Sequence, residues 1–406
     1  MIPSAYKRVL SIAPTRQPLL GATIGRLPFA AGALAMVLLV QGATGSFAEA
    51  GLVNACYSLG AAVGLPAQGR IVDRVGQTSV ISAAAVVNSL ALVALVALAE
   101  GDAAVGPMAA AAAIAGLTVP PLGTCIRTLW SELVPDYALR QSAFALDAVT
   151  VEVAFIAGPL LIALVIGLAS PAAVVLTNVG LSVLGSAVFV ASRASREWRG
   201  EAHDLGIAGP LRSVGILILM STSLGIGVAV AAIELGMTAL ATEHDARALA
   251  GALIAAQAAG SLVGGLGYGS RSWGPDAGRR LMLFALIMAV TTLPLLFASS
   301  LPSAFVLMLI SGVALAPTVS VLYTLLDSAA PRGTATEATG WVLTAFVVGV
   351  SAGTGLAGAA VAASGPHAGI AVGVAGAALT VGVAWLGRGR LEGRAAARTP
   401  PAPAVP

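Results

Sequence analysis

Long apolar runs alternate with short polar segments along almost the whole of this 406-residue chain. A membrane-spanning helix needs about 20 apolar residues. Twelve runs of this kind lie near residues 18–41, 47–69, 78–99, 104–129, 141–168, 172–192, 213–238, 247–269, 281–299, 303–326, 336–362 and 368–387. The pattern predicts an all-α polytopic membrane protein with 12 transmembrane helices.

Basic residues are distributed unevenly between the two sides of these runs. Of the 21 lysines and arginines, 18 lie in the two termini or in loops that follow even-numbered runs, whereas the odd-numbered loops hold only Arg247. Because basic loops favour the cytoplasmic side, we expect a multi-pass protein of the cytoplasmic (inner) membrane with both termini in the cytoplasm. Missing or inventing one helix would destroy this asymmetry, so it also supports the even count.

The chain divides into two halves at the hydrophilic segment 194–212. The predicted units are a cytoplasmic amino-terminal segment, a six-helix bundle, a cytoplasmic linker, a second six-helix bundle and a cytoplasmic tail, at residues 1–17, 18–193, 194–212, 213–387 and 388–406. Segments 121–135 and 317–331 both begin and end with proline and have Thr128 and Thr324 in register. This internal repeat predicts two pseudo-symmetric bundles.

Composition excludes several classes of protein. Hydrophobic residues make up 58% of the chain and charged residues only 10%, against roughly 25% charged residues in soluble domains. Cys56 and Cys125 lie inside apolar runs, so we expect neither a disulfide framework nor a metal site. No phosphate-binding Gly-Lys-Ser/Thr loop and no catalytic constellation is present, which argues against an ATP-driven pump and against an enzyme. The net charge of +3 reflects the one-sided arginines, so nucleic acid is not an expected partner.

A charged turn, Gly69-Arg-Ile-Val-Asp-Arg-Val-Gly76, separates the second and third runs. The second helix is expected to end near Gly69, and Gly76 permits the chain to reverse. Gly69, Asp73, Arg74 and Gly76 match the loop between helices two and three of major facilitator superfamily transporters. The chain therefore resembles that superfamily over about residues 15–388. The resemblance implies two six-helix bundles, a binding site between them near the middle of the membrane, and transport by alternating access.

The resemblance extends to two further places. It implies that Asp73 docks at the start of helix 11, near 334–336, when the transporter is open outward, with Arg74 available to Glu132 or Asp136. In the fifth run, Gly158 and Pro159 are similar to the core of the helix 5 signature of proton-coupled drug antiporters, where proline bends the helix. Fewer glycines surround this pair than in the family pattern.

Charges inside a membrane are costly, so each one is a functional hypothesis. Arg26 lies about 12 Å from the cytoplasmic end of the first helix, where it either pairs on the cavity side or extends to the headgroups. Asp147 is expected to form a structural pair with Arg127, since both lie at similar depth. Glu152 lies near the middle of the fifth helix, where it either exchanges a proton or contacts substrate, or forms a static salt bridge with Arg26.

Other polar candidates are few. Glu234 in the seventh run lies near the outer end, where it either reaches water or joins the coupling groups. By resemblance, helices 1, 4, 7 and 10 form most of the cavity wall. The pattern of each candidate cavity residue taken singly favours a helix-to-helix hydrogen bond over a ligand contact. The candidates are Asn54, Tyr57, Thr222, Ser223, Gln257, Thr318, Ser320, Tyr323 and Trp341. Because so few groups could replace water around hydroxyls, the cavity favours an apolar or amphiphilic substrate.

The expected function is secondary active transport, with export of a small hydrophobic or amphiphilic compound in exchange for protons. No cofactor is expected beyond the proton gradient. The expected partners are the small-molecule substrate and the lipid bilayer, and the protein is expected to be a monomer. One alternative is uptake or facilitated transport of a small polar solute such as a sugar, amino acid or organic acid. Another is a membrane sensor that binds a ligand without moving it, and such a sensor has no need for Glu152 to titrate.

Overall fold

The computed structural model describes residues 4–200, 209–246, 249–271, 273–274 and 276–398. These residues form an all-helical fold. The α-helices of the described chain, numbered α1 to α16, are Ser4–Ser11, Ala13–Thr44, Phe47–Val75, Gln77–Glu100, Val105–Leu117, Leu122–Leu133, Tyr137–Leu168, Pro171–Val190, Arg193–Glu197, Val214–Glu243, Ala250–Gly269, Ala277–Thr292, Leu301–Gly312, Leu315–Ala329, Ala335–Ser364 and Pro366–Arg398.

Twelve spans can be assembled from these helices, which agrees with the predicted fold. Eleven segments of the described chain are long and apolar enough to cross a membrane, and the 32-residue α2 contains the first predicted run. Helices α5 and α6 together form the fourth span, and α13 and α14 form the tenth. The first half therefore comprises α2 to α8 and the second half α10 to α16. The short α9 lies in the predicted linker, and residues 201–208 and Arg247 fall outside the described residues.

Spans four and ten are interrupted at corresponding places, although the sequence predicted each as one helix. The fourth breaks between Leu117 and Leu122, where Pro120 and Pro121 supply no backbone N–H to continue the ladder. The tenth breaks after Gly312 and resumes at Leu315. Broken helices in matching positions of two repeats are typical of transporter binding regions, because the free ends of half-helices can face polar groups.

The charged turn is shorter than predicted. Helix α3 does not end near Gly69 but continues to Val75, and only Gly76, with φ of 97°, leaves the helical region. Gly69 has a packing role instead, since a Cβ there would lie 2.6 Å from the carbonyl oxygen of Thr336 in α15. Its glycine is needed for close approach of two helices and not for a turn.

Helix packing repeats between the halves. A Cβ at Gly64 in α3 would overlap the backbone of Leu117, and a Cβ at Gly264 in α11 would overlap the backbone of Val313. In the first half this contact joins the second span to the fourth, and in the second half it joins the eighth span to the tenth. Since lipid supplies no hydrophobic drive between helices, such close backbone contacts provide the dispersion energy that holds each bundle together.

We call the end of the molecule that carries Asp73 the inner end, because the arginine distribution predicts that it faces the cytoplasm. Helix α1, in the predicted amino-terminal segment, packs there against α7 of the first half. Helix α7 runs without interruption through Gly158 and Pro159. The Pro159 side chain lies outside the described residues, and the bend at this place stays a prediction.

Candidate functional site

A buried charge cluster links three helices of the first half. Asp147 on α7 is 1% exposed, and its two oxygens lie 2.7 Å from Arg26 Nη1 and 2.8 Å from Arg127 Nε. Arg26 Nη1 also donates to Thr150 Oγ1 at 3.1 Å. The predicted contact between Arg127 and Asp147 is present, but Arg26 joins it. Arg26 is therefore paired inside the protein and does not extend to the headgroups.

Arg127 also contacts the second half. Its guanidinium carbon lies 3.7 Å from the centre of the Tyr323 ring on α14, within the range of a cation–π interaction. Tyr323, predicted as a cavity residue, covers this guanidinium group and is 7% exposed. The cluster thus spans the boundary between the two halves.

Glu152 lies on another face of α7 and does not contact Arg26, so the alternative of a static salt bridge between these two residues is wrong. Its Oε1 accepts a 2.8 Å hydrogen bond from Ser261 Oγ on α11. Ser261 Oγ in turn accepts from the backbone N–H of Ala316 at 3.1 Å, in the first turn of α14. Glu152 therefore bonds across the boundary to the broken tenth span.

Glu234 belongs to the same electrostatic environment. It lies on α10 of the second half, and its charge acts on the Glu152 carboxylate. Both carboxylates are largely removed from water, and no basic side chain within the described chain pairs with either one. Two acids from opposite halves thus lie near each other without a permanent counter-charge.

The inner end is closed by a row of contacts between α3 and α15. The Asp73 carboxylate accepts hydrogen bonds from the backbone N–H groups of Thr336 at 3.1 Å and Glu337 at 2.9 Å. This is the docking predicted for Asp73, and the positive end of α15 favours it. Farther from the inner end, Thr344 Oγ1 donates to the carbonyl oxygen of Ala62 at 2.8 Å. The row covers about 16 Å along α3. Arg74 lies in the last turn of α3, and its predicted pairing stays a prediction.

A second set of contacts closes the other side of the inner end. Asp327 on α14 accepts from Ser131 and lies 3.2 Å from Arg140 Nη1 of the first half. Tyr6 on α1 donates from its hydroxyl to the carbonyl oxygen of Gly265 on α11 at 2.6 Å. These contacts and the Asp73 row together hold the two halves against each other at the inner end.

Four hydroxyl side chains predicted to line the cavity are engaged elsewhere. Three donate to the backbone carbonyl four residues earlier in their own helix, and Ser223 donates to the carbonyl oxygen of Val342 at 2.9 Å. All four are nine-tenths or more buried. The hydroxyls of these residues, Thr222, Ser223, Thr318 and Ser320, are bonded to backbone carbonyls and do not line an open cavity in this structure, because buried hydroxyls must find partners within the protein.

Of the remaining predicted cavity residues, Tyr57 lines a cavity of about 50 Å³. This cavity lies inside the first half, next to the break of the fourth span, and not at the boundary between the halves. Its polar wall comes from Tyr57, Asn88, Asn178 and Ser182. Gln257 is buried, whereas Asn54 and Trp341 are half-buried, and contact of these three with substrate stays a prediction.

Sequence reasoning missed Ser261 and Tyr6. Ser261 stands among alanines and glycines in an apolar run, where serine is common as a small packing residue. Its position four residues after Gln257 puts both on one face of α11, which was the available signal. Tyr6 lies before the first run, and nothing in its local sequence indicates a contact about 260 residues away.

Comparisons with known proteins agree with this architecture. The sequence profile of the Major Facilitator Superfamily matches residues 19–354. No curated protein matches the chain. Among solved structures, the human organic anion transporter MFSD10 (TETRAN) is similar with a TM-score of 0.67 and 15% identity over 94% of this chain and 100% of that one.

Two further structures have the same fold. A bacterial homologue of the iron transporter ferroportin in an outward-facing state gives a TM-score of 0.73 and 13% identity, covering 92% of this chain and 98% of that one. The E. coli fucose:proton symporter FucP gives a TM-score of 0.71 and 13% identity, covering 93% of this chain and 98% of that one. At these identities the likeness shows the fold, and the substrates of those proteins are not transferred.

Proposed function

Because the chain belongs to the Major Facilitator Superfamily, we propose that it is a secondary active transporter that exports a small hydrophobic or amphiphilic compound in exchange for protons. Its multi-pass architecture and its transporter-like fold indicate a transporter and not an enzyme. The proposal covers the direction of transport, the class of substrate and the coupling to protons. It also covers the location of the protein in the cytoplasmic membrane.

Proton coupling is supported by one observation above all, the pair of acids Glu152 and Glu234. The other deep charges bind one another, since Asp147 pairs with both Arg26 and Arg127. Glu152 and Glu234 have no such counter-charge within the described chain. A carboxylate that is mostly removed from water and unpaired is costly when ionised, so it can bind and release a proton as its access to water changes.

An apolar or amphiphilic substrate is supported by the scarcity of free polar groups. The hydroxyls of Thr222, Ser223, Thr318 and Ser320 are already bonded to backbone carbonyls. A polyhydroxylated solute would therefore lose its hydration without enough replacement bonds. Export follows from the proposed exchange, because protons entering down their gradient drive the substrate outward.

Proton movement in proteoliposomes that hold a pH gradient tests this function. A panel of lipophilic compounds, sugars and amino acids is added to wild type, to Glu152→Gln and to Glu100→Gln, which changes an exposed acid at the end of α4. We expect lipophilic compounds to dissipate the gradient with wild type and Glu100→Gln, and Glu152→Gln to abolish this flux. A solute that equilibrates without moving protons in wild type would show facilitated transport instead. If no compound that binds is moved, the protein is a sensor.

A further inference from the structure

We propose that Ser261 couples the ionisation of Glu152 to closure of the inner end, by linking that carboxylate to the amino-terminal end of α14. The inference rests on the proposed proton coupling and assigns a positioning role to a residue outside the predicted site. The link runs from the Ala316 N–H to Ser261 Oγ at 3.1 Å, and from Ser261 Oγ to Glu152 Oε1 at 2.8 Å.

The chemistry of a hydroxyl group fixes the direction of this link. Serine has one O–H to donate and lone pairs to accept. Ser261 is fully buried, and it accepts from Ala316, so its proton goes to Glu152. The first N–H groups of a helix lack intrahelical partners and carry partial positive charge. An ionised Glu152 is therefore stabilised, through Ser261, by the positive end of α14, which is 15 residues long.

The hydroxyl is held in place by backbone contacts on both sides. A Cβ at Gly260 would overlap the backbone of Leu309 in α13, and a Cβ at Gly264 would overlap the backbone of Val313, just after α13. Helix α11 is thus fixed against the outer part of the tenth span, and Ser261 points at the break between α13 and α14. Its hydroxyl cannot follow Glu152 if α7 moves away.

Protonation of Glu152 weakens the link. The hydrogen bond from Ser261 loses its charge assistance when the carboxylate becomes a neutral acid, and charge-assisted bonds are roughly twice as strong as neutral ones. Glu152 belongs to the first half, whereas Ser261 and Ala316 belong to the second. Helix α14 also carries Tyr323 and Asp327, which contact Arg127 and Arg140. A weaker link at the start of α14 therefore favours separation of the halves at the inner end.

The charged groups around Glu152 are consistent with this role. From α10, Glu234 lies close enough for its charge to act on Glu152. Arg26 on α2 and Arg127 on α6 are held by Asp147, on another face of α7. From α1, Tyr6 bonds to Gly265, one turn from Ser261 along α11. Protonation from the outer side thus acts on the link between Glu152 and Ser261 and leaves the buried ion cluster unchanged.

Distances between spin labels at the inner end, measured in lipid nanodiscs at acidic and alkaline pH, test the coupling. Labels are placed by Glu197→Cys on α9, which packs against helices of the first half, and by Ser270→Cys on the second half, after Cys56→Ser and Cys125→Ala. Both labelled positions are exposed. Ser261→Ala removes only the hydroxyl and creates no clash. Ser261→Thr retains a hydroxyl, and Ser223→Ala is the matched control, because that serine bonds within the second half.

In wild type we expect acidic pH to increase the population of molecules whose inner end is open. In Glu152→Gln this population should be larger than in wild type at alkaline pH and should not change with pH. Ser261→Ala should shift the ratio of open to closed by about tenfold at alkaline pH, the effect of losing one charge-assisted hydrogen bond, and should respond little to acid. Ser261→Thr and Ser223→Ala should keep the response of wild type. Melting temperatures of all variants verify that each is folded.

Two other outcomes separate the possible failures. If Ser261→Ala keeps the full pH response of wild type while Glu152→Gln loses it, the role of Ser261 is overturned and proton coupling stands. If neither wild type nor Glu152→Gln changes with pH, the proposed proton coupling fails, and the role of Ser261 with it.

Discussion

Asp147 is the shared counter-charge of two buried arginines that lie on different helices. Burying three charges is costly, and the mutual attraction offsets that cost only while all hydrogen bonds are made. Arg26 and Arg127 each lie within 2.8 Å of a different oxygen of this carboxylate. The acid therefore aligns α2, α6 and α7 near the boundary between the halves.

Replacing this acid should destabilise the protein strongly. Asp147→Asn keeps the shape of the side chain but leaves two buried cations without a counter-charge, which costs about 3–5 kcal/mol for a broken buried pair. We expect a clearly lower melting temperature in detergent. Asp276→Asn, at an exposed position whose side chain caps no helix N–H, is the control. Equal melting temperatures for the two variants would contradict a structural role for Asp147.

At the residue scale, the sequence indicated which charged residues are buried, but it did not specify all of their partners. Arg26, Asp147 and Glu152 stand out as charges in apolar runs, and the Arg127 partner of Asp147 followed from equal depth. The salt bridge between Arg26 and Glu152, one of the two expected alternatives, is not formed, because Arg26 pairs with Asp147 instead. Partner choice among several charges depends on rotation of each helix, which depth alone does not specify.

Helices α3 and α15 meet through a contact that can form and break. Gly69 and Gly340 let their backbones touch, since a Cβ at Gly340 would lie 2.7 Å from the carbonyl oxygen of Leu65. Asp73 ends the row by binding the first N–H groups of α15. Backbone contact combined with one helix-capping carboxylate allows firm closure without a deep interdigitated core, so the contact can also be broken.

Adding a single methyl group should prevent this closure. Gly69→Ala would force Thr336 and α3 apart at a cost of about 1–3 kcal/mol, typical of overpacking, and should shift the protein toward the form open at the inner end. Gly267→Ala is the matched control, because that glycine of α11 has open space around it. Alkylation of a cysteine introduced at Ala62 should be faster in Gly69→Ala. An unchanged alkylation rate would mean that the contact at Gly69 does not contribute to closure of the inner end.

Removing the carboxylate at the end of the same row should have an effect in the same direction. The N–H groups of Thr336 and Glu337 bind different oxygens of Asp73, so Asp73→Asn leaves one of them without its acceptor. The substitution also removes the attraction between a negative charge and the helix terminus, worth about 0.3–1 kcal/mol. We expect a weakened outward-open state and a lower transport rate in the proteoliposome assay. A rate equal to that of wild type would count against the role of Asp73 in closure.

On the scale of the whole molecule, α1 ties the two halves together at the inner end. It precedes the first span, yet it packs on α7 of the first half and bonds through Tyr6 to α11 of the second. Burial raises the pKa of the Tyr6 phenol, so its hydroxyl remains a donor throughout the neutral range. Docking of α1 should therefore not respond to the protonation changes that are proposed to drive transport.

Loss of that hydroxyl should loosen α1. Tyr6→Phe leaves the carbonyl of Gly265 without its donor, a loss of about 1 kcal/mol, and we expect hydrogen exchange of the α1 amides to be about fivefold faster. The increase should be the same at pH values on either side of neutrality. Tyr137→Phe, at a partly exposed residue at the start of α7, is the control. Exchange unchanged by Tyr6→Phe would show that α1 is held by apolar packing alone.

The sequence by itself determined the membrane class, the count of twelve spans and the repeat, and its resemblance to the transporter superfamily implied the docking of Asp73. These follow from run length, from the need to bond every backbone group within lipid, and from a local motif. Only the tertiary structure decided the end of α3 at Val75, the breaks in the fourth and tenth spans, and the bonds of Ser261 and Tyr6. Those features depend on which helix faces lie together, and apolar runs surrounded by lipid carry little amphipathic pattern to specify that rotation.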